Sequence, residues 1–453
     1  MFRRVLIANR GEIACRVIRA CRELGIETVA VYSEADALAP HVRDADRAFA
    51  IGPPPARESY LKVAALLGAL RASAADAVHP GYGFLSENAE FARAVGDAGA
   101  AWIGPSPDAI AQMGDKAQAR ALMAQAGVPV VPGSAVVPDE AAALGVARDL
   151  GWPVMIKASA GGGGIGMVAC ETEAELRKGF SSAVARAQGA FGNGAVYLER
   201  LVHGARHIEI QIVADRHGRT AHLFERECSV QRRHQKVLEE APSPAVDERL
   251  RAELGAAAVQ AARAIGYHNV GTVEFLLGPD RRFYFMEMNT RLQVEHPVTE
   301  MTTGVDLVAL QLRLAAGEAL PFAQSDLHQQ GHAIELRIYA EDPARNFLPS
   351  PGTITKLRWP EDADVRVDAG VVEGSKVTPF YDPLLGKMIV HARDRAQGIA
   401  KARAAVGATT IEGLKTNLPV HEMVLDDPAF QRGALSISYL GALMERQRGR
   451  SGA

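Results

Sequence analysis

Short apolar runs separated by amphipathic segments open the chain, a pattern typical of α/β folds. Residues 5–8 and 27–32 are rich in β-branched side chains and predict buried strands, and residues 12–24 between them predict a helix. Another short strand is predicted at Ala77–His79, directly before a glycine-rich loop. Strands that alternate with helices form parallel sheets, so we expect a doubly wound domain with the first βαβ unit at its edge.

The rest of the chain shows the same mixture of short strands and helices. We expect a helix at residues 113–126, short elements at 130–201, helices within 297–317, a linker at 321–331, a mixed α/β region at 333–443 and a frayed tail at 444–453. A chain of 453 residues has room for about three domains of ordinary size.

Two strand-like segments, residues 273–277 and 283–288, flank a turn that contains glycine and proline, and they predict a β-hairpin. If the register places Glu274 opposite Glu287, two carboxylates and the amide of Asn289 lie close together. Hard cations prefer a few oxygen ligands that leave positions free for water or phosphate. The hairpin is therefore a candidate site for a metal ion that assists phosphoryl transfer.

The two-residue spacing of chemically active side chains continues beyond this hairpin. Alternation along a strand predicts one shared face for Phe283, Phe285, Glu287, Asn289, Arg291, Gln293 and Glu295. The alternative is that the acids are solvated on the outer face of a surface hairpin. The apolar neighbours Phe275 and Met286 argue against it, because they indicate burial on both faces, where unpaired carboxylates are costly.

The longest glycine run of the chain, residues 161–164, follows a predicted strand and Lys157. Glycines let backbone N–H groups approach phosphate oxygens, and the lysine adds a point charge. The run is not a Walker loop, because GxxxxGK[ST] is absent from the chain. Alone it could equally be a flexible surface hairpin. Its position between Lys116 and the candidate metal hairpin favours a mobile lid over bound nucleotide.

Three further polar segments are candidates for ligand binding. Residues 197–201 end a strand whose edge could pair with an adenine rim, and residues 207–211 alternate as a half-buried strand does. Residues 225–236, taken alone, read as a solvated basic loop. Within that segment His234 and Lys236 are predicted to share a strand face suited to a small oxyanion. No CxxC or HExxH accompanies these histidines, so zinc is not expected.

Composition places the chain among ordinary globular proteins, with 48% hydrophobic and 23% charged residues. The net charge of -3 argues against nucleic acid or an anionic membrane as the main partner. Four cysteines without CxxC spacing are expected to be reduced, buried thiols. No secretory signal is visible and no apolar stretch approaches the ~18 residues of a membrane span, so a cytoplasmic location is expected.

A series of motifs runs along essentially the whole chain. They read IANRGEIACR (7–16), HPGYGFLSEN (79–88), MGDK (113–116), QRRHQK (231–236), EMNTRLQVEHPVTE (287–300), AEDP (340–343) and FLPSPG (347–352). Together they resemble biotin carboxylase, a family of ATP-grasp enzymes, and QRRHQK with EMNTRLQVEHPVTE is the most specific combination. The resemblance implies three domains: a doubly wound parallel-sheet domain at 1–114, an ATP-grasp domain at 115–328 with a mobile lid at about 131–203, and a C-terminal mixed α/β domain at 329–446.

The resemblance also implies a role for each matching residue. The implied ATP-binding set is Lys116, Lys157, Gly163, Gly164, Met167, Glu199, Arg200, Leu201, Val202, His207, Gln231, His234, Leu276, Glu274 and Glu287. Mg²⁺ or Mn²⁺ would be bound by Glu274, Glu287 and Asn289, and bicarbonate by Lys236, Arg291 and the backbone of Val294. The implied catalytic set is Arg291, Glu295, Lys236 and Arg337, with Glu295 as the general base and Arg337 facing the biotin ureido oxygen.

The activity that the resemblance implies is ATP- and bicarbonate-dependent carboxylation of biotin through carboxyphosphate, the first half-reaction of an acyl-CoA carboxylase. The implied partners are a biotin carboxyl carrier protein and carboxyltransferase subunits on separate chains, with this chain as a homodimer. Ile165 and Tyr339 depart from the usual pattern of the family. The alternatives are another ATP-grasp ligase and a non-catalytic protein that only binds ATP, and the presence of Lys236, Arg291 and Glu295 together argues against both.

Overall fold

The computed structural model describes residues 1–160 and 167–451. The glycine run with Gly163, Gly164 and Ile165, and with it the predicted contact of the lid with phosphate, lies outside the described residues. No helix in the described part of the chain is long and apolar enough to cross a membrane.

The N-terminal region folds into a five-stranded parallel sheet flanked by helices, in the strand order β3-β2-β1-β4-β5. Its elements are β1 (Arg4–Ile7), α1 (Gly11–Glu23), β2 (Glu27–Ser33), α2 (Pro40–Asp44), β3 (Arg47–Gly52), α3 (Val63–Ser73), β4 (Ala77–His79), α4 (Ala89–Asp97), β5 (Ala101–Trp102) and α5 (Pro107–Gly114). The parallel sheet is confirmed, but the expectation that the first βαβ unit forms its edge is wrong. The chain winds outward in both directions from β1, which therefore lies in the centre.

The middle region begins with a helix boundary that the sequence placed differently. Its elements are α6 (Lys116–Gln125), α7 (Glu140–Leu150), β6 (Val154–Ala158), β7 (Val168–Cys170), α8 (Glu173–Phe191), β8 (Val196–Arg200), β9 (Arg206–Ala214), β10 (Thr220–Arg232), β11 (Gln235–Ala241), α9 (Glu248–Ala264), β12 (Asn269–Leu277), β13 (Phe283–Asn289), α10 (His296–Thr303) and α11 (Leu307–Ala315). The predicted helix at 113–126 is two helices. Asp115 separates them, because its side chain accepts the N–H of Gln118 and caps α6.

The C-terminal region continues the α/β pattern. Its elements are β14 (His332–Tyr339), β15 (Glu341–Asp342), β16 (Leu348–Pro349), β17 (Gly352–Thr353), β18 (Lys356–Arg358), β19 (Val365–Ala369), β20 (Lys376–Val377), β21 (Leu384–Ala392), α12 (Arg395–Ala408), β22 (Thr410–Glu412), α13 (Leu418–Asp426), α14 (Pro428–Gln431) and α15 (Tyr439–Ser451). The expected frayed tail is instead helical to Ser451. Leu440 and Leu443 anchor this helix in the core of the region.

An eight-stranded sheet in the order β13-β12-β9-β10-β11-β14-β21-β19 forms the centre of the molecule. Strand β11 pairs with β14 through registers such as Leu238↔Leu336, so the sheet passes without interruption from the middle to the C-terminal region. A separate three-stranded sheet, β7-β6-β8, packs with α7 and α8 around its own apolar core. The two sheets provide most of the walls of the cavity described below.

The predicted hairpin is formed by β12 and β13, with Glu274 opposite Glu287 as expected. The next pair, however, is Phe275↔Phe285, so Met286 is an extra residue in β13 and forms a β-bulge. The bulge turns Phe285 into the apolar core, while Glu287 faces the cavity. The prediction that Phe283 and Phe285 share the face of Glu287 is therefore wrong. Strand β13 also ends at Asn289, so residues 291, 293 and 295 lie in a loop.

The polar strands of the central sheet are more deeply buried than their sequence suggests. Strand β9 was expected to be half-buried, but Glu209 and Gln211 are both fully buried. The segment 225–236, taken alone, was expected to be a solvated loop, but it forms β10, a turn and the start of β11. His234 lies in that turn rather than on a strand face with Lys236. Polar side chains survive burial here because they pair with one another.

Candidate active site

A cavity of about 340 Å³ lies where the small sheet, the central sheet and the loop after β13 meet. Every predicted site residue in the described part of the chain lines it: Lys116, Lys157, Met167, Glu199, Arg200, Leu201, Val202, His207, Gln231, His234, Lys236, Glu274, Leu276, Glu287, Asn289, Arg291, Val294, Glu295 and Arg337. The structure therefore brings the predicted groups to one place. Prediction from sequence missed five further lining residues, Met155, Gln235, Met286, Gln293 and Ile437.

Oxygen donors collect at the hairpin end of this cavity. Glu274 and Glu287 are cross-strand neighbours, and Asn289 donates to Glu274 Oε1 over 2.8 Å. Lys116 at the start of α6 donates to Glu287. Two carboxylates and an amide on adjacent strands are the oxygen ligands that Mg²⁺ or Mn²⁺ prefers, so the residues present fit such an ion.

Lys236 lies at the start of β11 and is surrounded by three carboxylates. Its Nζ is 2.5 Å from Glu209, 2.9 Å from Glu274 and 2.5 Å from Glu295. Burial disfavours the charged ammonium, but the three carboxylates outweigh it and hold the pKa of Lys236 well above its ordinary value. Lys236 is therefore a permanent cation beside the candidate metal ligands.

Glu295 lies between two cations in the loop that leads into α10. Its Oε1 accepts from Lys236 over 2.5 Å, and its Oε2 accepts from Arg337 over 2.7 Å. Burial alone would raise the pKa of Glu295, but Lys236 and Arg337 together hold it below its ordinary value. The carboxylate is therefore ionised at neutral pH and available as a proton acceptor.

Two arginines complete the polar end of the cavity. Arg291 donates to Glu87 over 2.9 Å and to the amide oxygen of Asn289 over 3.0 Å. Arg337 donates to Glu239 over 2.6 Å as well as to Glu295. Burial opposes both guanidinium charges, but the neighbouring acids, Glu87 for Arg291 and Glu239 first for Arg337, raise the pKa of each.

The opposite end of the cavity is bounded by the small sheet. Strands β6 and β8 are paired so that Lys157 and Glu199 lie on one face, and their side chains bond over 2.8 Å. Beyond them the lining is mainly apolar, with Met155, Met167, Leu201, Val202, Leu276 and Ile437. A mostly apolar slot with a lysine at its inner end suits a flat heterocycle attached to phosphates.

A fully buried arginine, which sequence analysis did not single out, supports the floor of the site. Arg226 donates to Glu209 over 2.5 Å and to Gln293 over 2.6 Å, and it also bonds to Gln211, Thr272 and Thr299. Gln293 in turn donates to Glu274 over 2.7 Å. The available signal was the alternation of polar residues in β9 and β10, which fits a buried polar layer as well as a solvated face.

A second cavity of about 370 Å³ adjoins the first on the side of the N-terminal region. Gln235, Arg291, Val294 and Arg337 belong to the walls of both cavities. The other walls include the glycine-rich loop after β4 and several aromatic rings, those of Tyr82, Phe84, Tyr339 and Tyr381. A ring-shaped substrate could therefore reach Arg337 without passing through the nucleotide end.

Three family models match consecutive parts of the chain. They are the biotin carboxylase N-terminal domain at residues 1–110, the ATP-binding domain of the carbamoyl-phosphate synthase L chain at residues 115–323, and the biotin carboxylase C-terminal domain at residues 335–442.

Individual relatives match over nearly the full length. The chain is 54% identical over 452 residues to the biotin carboxylase of Halalkalibacterium halodurans, with 100% of each chain covered. It is 50% identical over 442 residues to a pyruvate carboxylase subunit of Methanothermobacter thermautotrophicus, or rather over 443 aligned positions, covering 97% of this chain and 90% of that one.

A solved structure matches the fold with a TM-score of 0.95 and 45% sequence identity, covering 98% of this chain and 99% of the other. It is the biotin carboxylase domain of 2-oxoglutarate carboxylase from Hydrogenobacter thermophilus, a dimer in complex with magnesium ADP, ADP and bicarbonate.

Proposed function

The chain belongs to the biotin carboxylase family, and on this premise we propose that it carboxylates biotin held by a separate carrier protein, using ATP and bicarbonate. The observation that carries the proposal is the position of Glu295 between Lys236 and Arg337, beside the oxygen donors of the hairpin. A base, an anion-binding lysine and a second cation are thus within one polar cluster. That combination suits a reaction in which bicarbonate must lose a proton while it attacks phosphate.

We assign the apolar slot under the small sheet to the adenine of ATP. Glu199, Arg200, Leu201 and Val202 contribute the edge of β8 and the segment after it to this slot. Lys157 and Lys116 lie further along the cavity and neutralise phosphate charge. Glu274, Glu287 and Asn289 would hold Mg²⁺ or Mn²⁺, which when bound neutralises and orients the phosphates.

We assign the cluster around Lys236 to bicarbonate, a small anion that needs positioning before it reacts. Lys236, Arg291 and the backbone of Val294 line this part of the cavity and provide positive charge and a hydrogen-bond donor. Glu295 removes the bicarbonate proton as the oxygen attacks the γ-phosphorus of ATP, so that ADP leaves and carboxyphosphate forms. Sharing Lys236 with bicarbonate weakens one interaction that lowers the pKa of Glu295, which makes the carboxylate a better base.

We assign the second cavity to biotin, because it reaches Arg337 from the side opposite to the nucleotide. Carboxyphosphate divides into CO₂ and phosphate, and the phosphate takes the proton of the ureido nitrogen that then attacks CO₂. The guanidinium of Arg337 stabilises the negative charge that develops on the ureido oxygen. Enclosure between the two cavities keeps water from the reactive intermediate.

The assembly proposed for this chain is a homodimer that works with a carrier protein and a carboxyltransferase. The solved relative from Hydrogenobacter thermophilus is a dimer, and another relative is named as a subunit of pyruvate carboxylase. Residues 1–114, 115–328 and 329–446 are the proposed domains, with the continuous sheet joining the second to the third.

The test is phosphate release from ATP by the purified protein, with bicarbonate and biotin each present or omitted. We expect release that requires bicarbonate and rises several-fold with free biotin, because biotin consumes the CO₂ formed in the site. Equal rates with and without biotin at saturating bicarbonate would refute the assignment of biotin as the acceptor.

A further inference from the structure

Lys387 on β21 is a lysine whose side chain is completely buried, with an exposed fraction of 0%. It lines neither of the two cavities. Its Nζ donates to the backbone oxygen of Val294 over 2.7 Å and lies 3.3 Å from Glu12 in the first turn of α1. One ammonium group therefore joins the C-terminal region, the loop after β13 and the N-terminal region.

The oxygen of Val294 depends on this lysine. Within residues 1–160 and 167–451, the Nζ of Lys387 is the one donor that reaches it, and no backbone N–H does so. The N–H of Val294, in the same part of the chain, donates to no protein acceptor. Val294 lines both cavities, so this free N–H belongs to a residue at the junction between them.

The peptide that Lys387 holds joins two groups of the proposed reaction. It connects Val294, whose backbone is assigned to bicarbonate, with Glu295, the assigned base. The neighbours of this peptide are fixed by other contacts: Gln293 bonds to Arg226 and Glu274, and Glu295 bonds to Lys236 and Arg337. Without Lys387, the peptide oxygen would lose its partner, and the peptide could rotate between these two anchored side chains.

The surroundings of Lys387 explain how a buried ammonium is tolerated. Glu12 lies in contact, and the charge of Lys387 opposes the effect of burial on the carboxyl groups of Glu335 and Asp368 on the neighbouring strands β14 and β19. Burial raises the pKa of Glu12 to about 7 even with Lys387 beside it. Such a costly arrangement, with an ammonium that reaches a single loop carbonyl, is poorly explained by stability alone.

We propose that Lys387 is a positioning residue, which orients the Val294–Glu295 peptide for bicarbonate binding and does not itself contact a substrate. This inference rests on the proposed function. Loss of the contact should weaken bicarbonate binding selectively, because the nucleotide end is built from β6, β8 and β12 and does not involve this peptide.

The test compares Lys387→Met, Lys387→Gln and Lys387→Arg with the wild type by steady-state ATP cleavage. We expect the first two to raise the KM for bicarbonate by about ten-fold or more, the size expected for one lost hydrogen bond to a charged group, and to leave the KM for ATP nearly unchanged. Lys387→Arg keeps a cation and N–H donors and should restore part of the loss. Lys356→Met, which removes an exposed lysine from the same region, is the matched control.

The outcomes are distinguishable. Equal increases in both KM values, or an unchanged KM for bicarbonate in an active folded variant, would overturn the inference and leave the proposed function intact. If neither Lys387→Met nor Lys387→Gln folds, as judged by thermal unfolding, Lys387 is a residue of stability and the inference also fails. If the wild type shows no bicarbonate-dependent cleavage of ATP, the proposed function is refuted, and this inference with it.

Discussion

Replacing Glu295 by glutamine tests the proposed base directly. The carboxylate is 2% exposed, and its two oxygens accept separately from Lys236 over 2.5 Å and from Arg337 over 2.7 Å. A glutamine amide has one oxygen, so its NH₂ must face one of the two cations. Lys236 keeps Glu209 and Glu274, and Arg337 keeps Glu239, so neither cation is left without a carboxylate.

The cost to stability follows from this geometry. Glu295→Gln loses one charge-assisted hydrogen bond, which lowers the free energy of unfolding by roughly 1.5–3 kcal/mol. That loss leaves a domain of ordinary stability, about 5–15 kcal/mol, folded at 25 °C. The cost to catalysis is larger, because a positioned general base contributes about 10²–10⁴-fold in rate, or roughly 3–5 kcal/mol.

The assay is bicarbonate-dependent phosphate release, measured together with thermal unfolding. We expect kcat to fall by about 10²–10⁴-fold while the KM for ATP changes little, since Glu295 lies away from the nucleotide end. Glu341→Gln is a matched control: Glu341 is 6% exposed, accepts from Arg232 over 3.0 Å and lines neither cavity. A near-normal kcat for Glu295→Gln, or an equal loss in the control, would refute the role of base.

Two further predictions concern the hairpin and the pH dependence of stability. Glu287→Gln removes a proposed metal ligand and the partner of Lys116, so turnover across a Mg²⁺ titration should fall by about 10²-fold or more, and wild-type turnover at all Mg²⁺ concentrations would contradict the assignment. Glu240 accepts from His332 and Arg395, which outweigh burial and hold the pKa of Glu240 below its ordinary 4.5. A lowered carboxyl pKa stabilises the fold above the unfolded pKa and loses that effect as pH falls through the folded one. Glu240→Gln should therefore lower the melting temperature at pH 7 and lose most of that difference below about pH 4, and a pH-independent difference would contradict this.

The hairpin shows how far sequence patterns determine the site. The alternation of residues in β12 and β13 correctly predicted Glu274 opposite Glu287, because the turn and the two apolar strands leave few other registers. The bulge at Met286 could not be predicted from alternation, which assumes one residue for one residue. It nevertheless decides which side chains face the core and which face the cavity.

Buried polar strands mark the other limit of sequence reasoning. Glu209 and Arg226 are fully buried, although each alone is a residue type that usually lies at the surface. Their burial depends on partners distant in the sequence, such as Gln293 and Thr299, and local periodicity carries no information about those pairs. The order of the N-terminal strands was misjudged for a similar reason, since the position of β1 depends on where β4 later pairs.

The three carboxylates around Lys236 have a consequence for the order in which ligands bind. Glu274 is at once a partner of Lys236, over 2.9 Å, and a proposed ligand of the metal that accompanies ATP. An ion that occupies Glu274 competes with Lys236 for the same oxygens and leaves the ammonium freer to bind an anion. The metal–nucleotide complex and bicarbonate would then raise each other's affinity by the same factor, as thermodynamic linkage requires. Such reciprocity would keep bicarbonate from occupying the site effectively before ATP is in place.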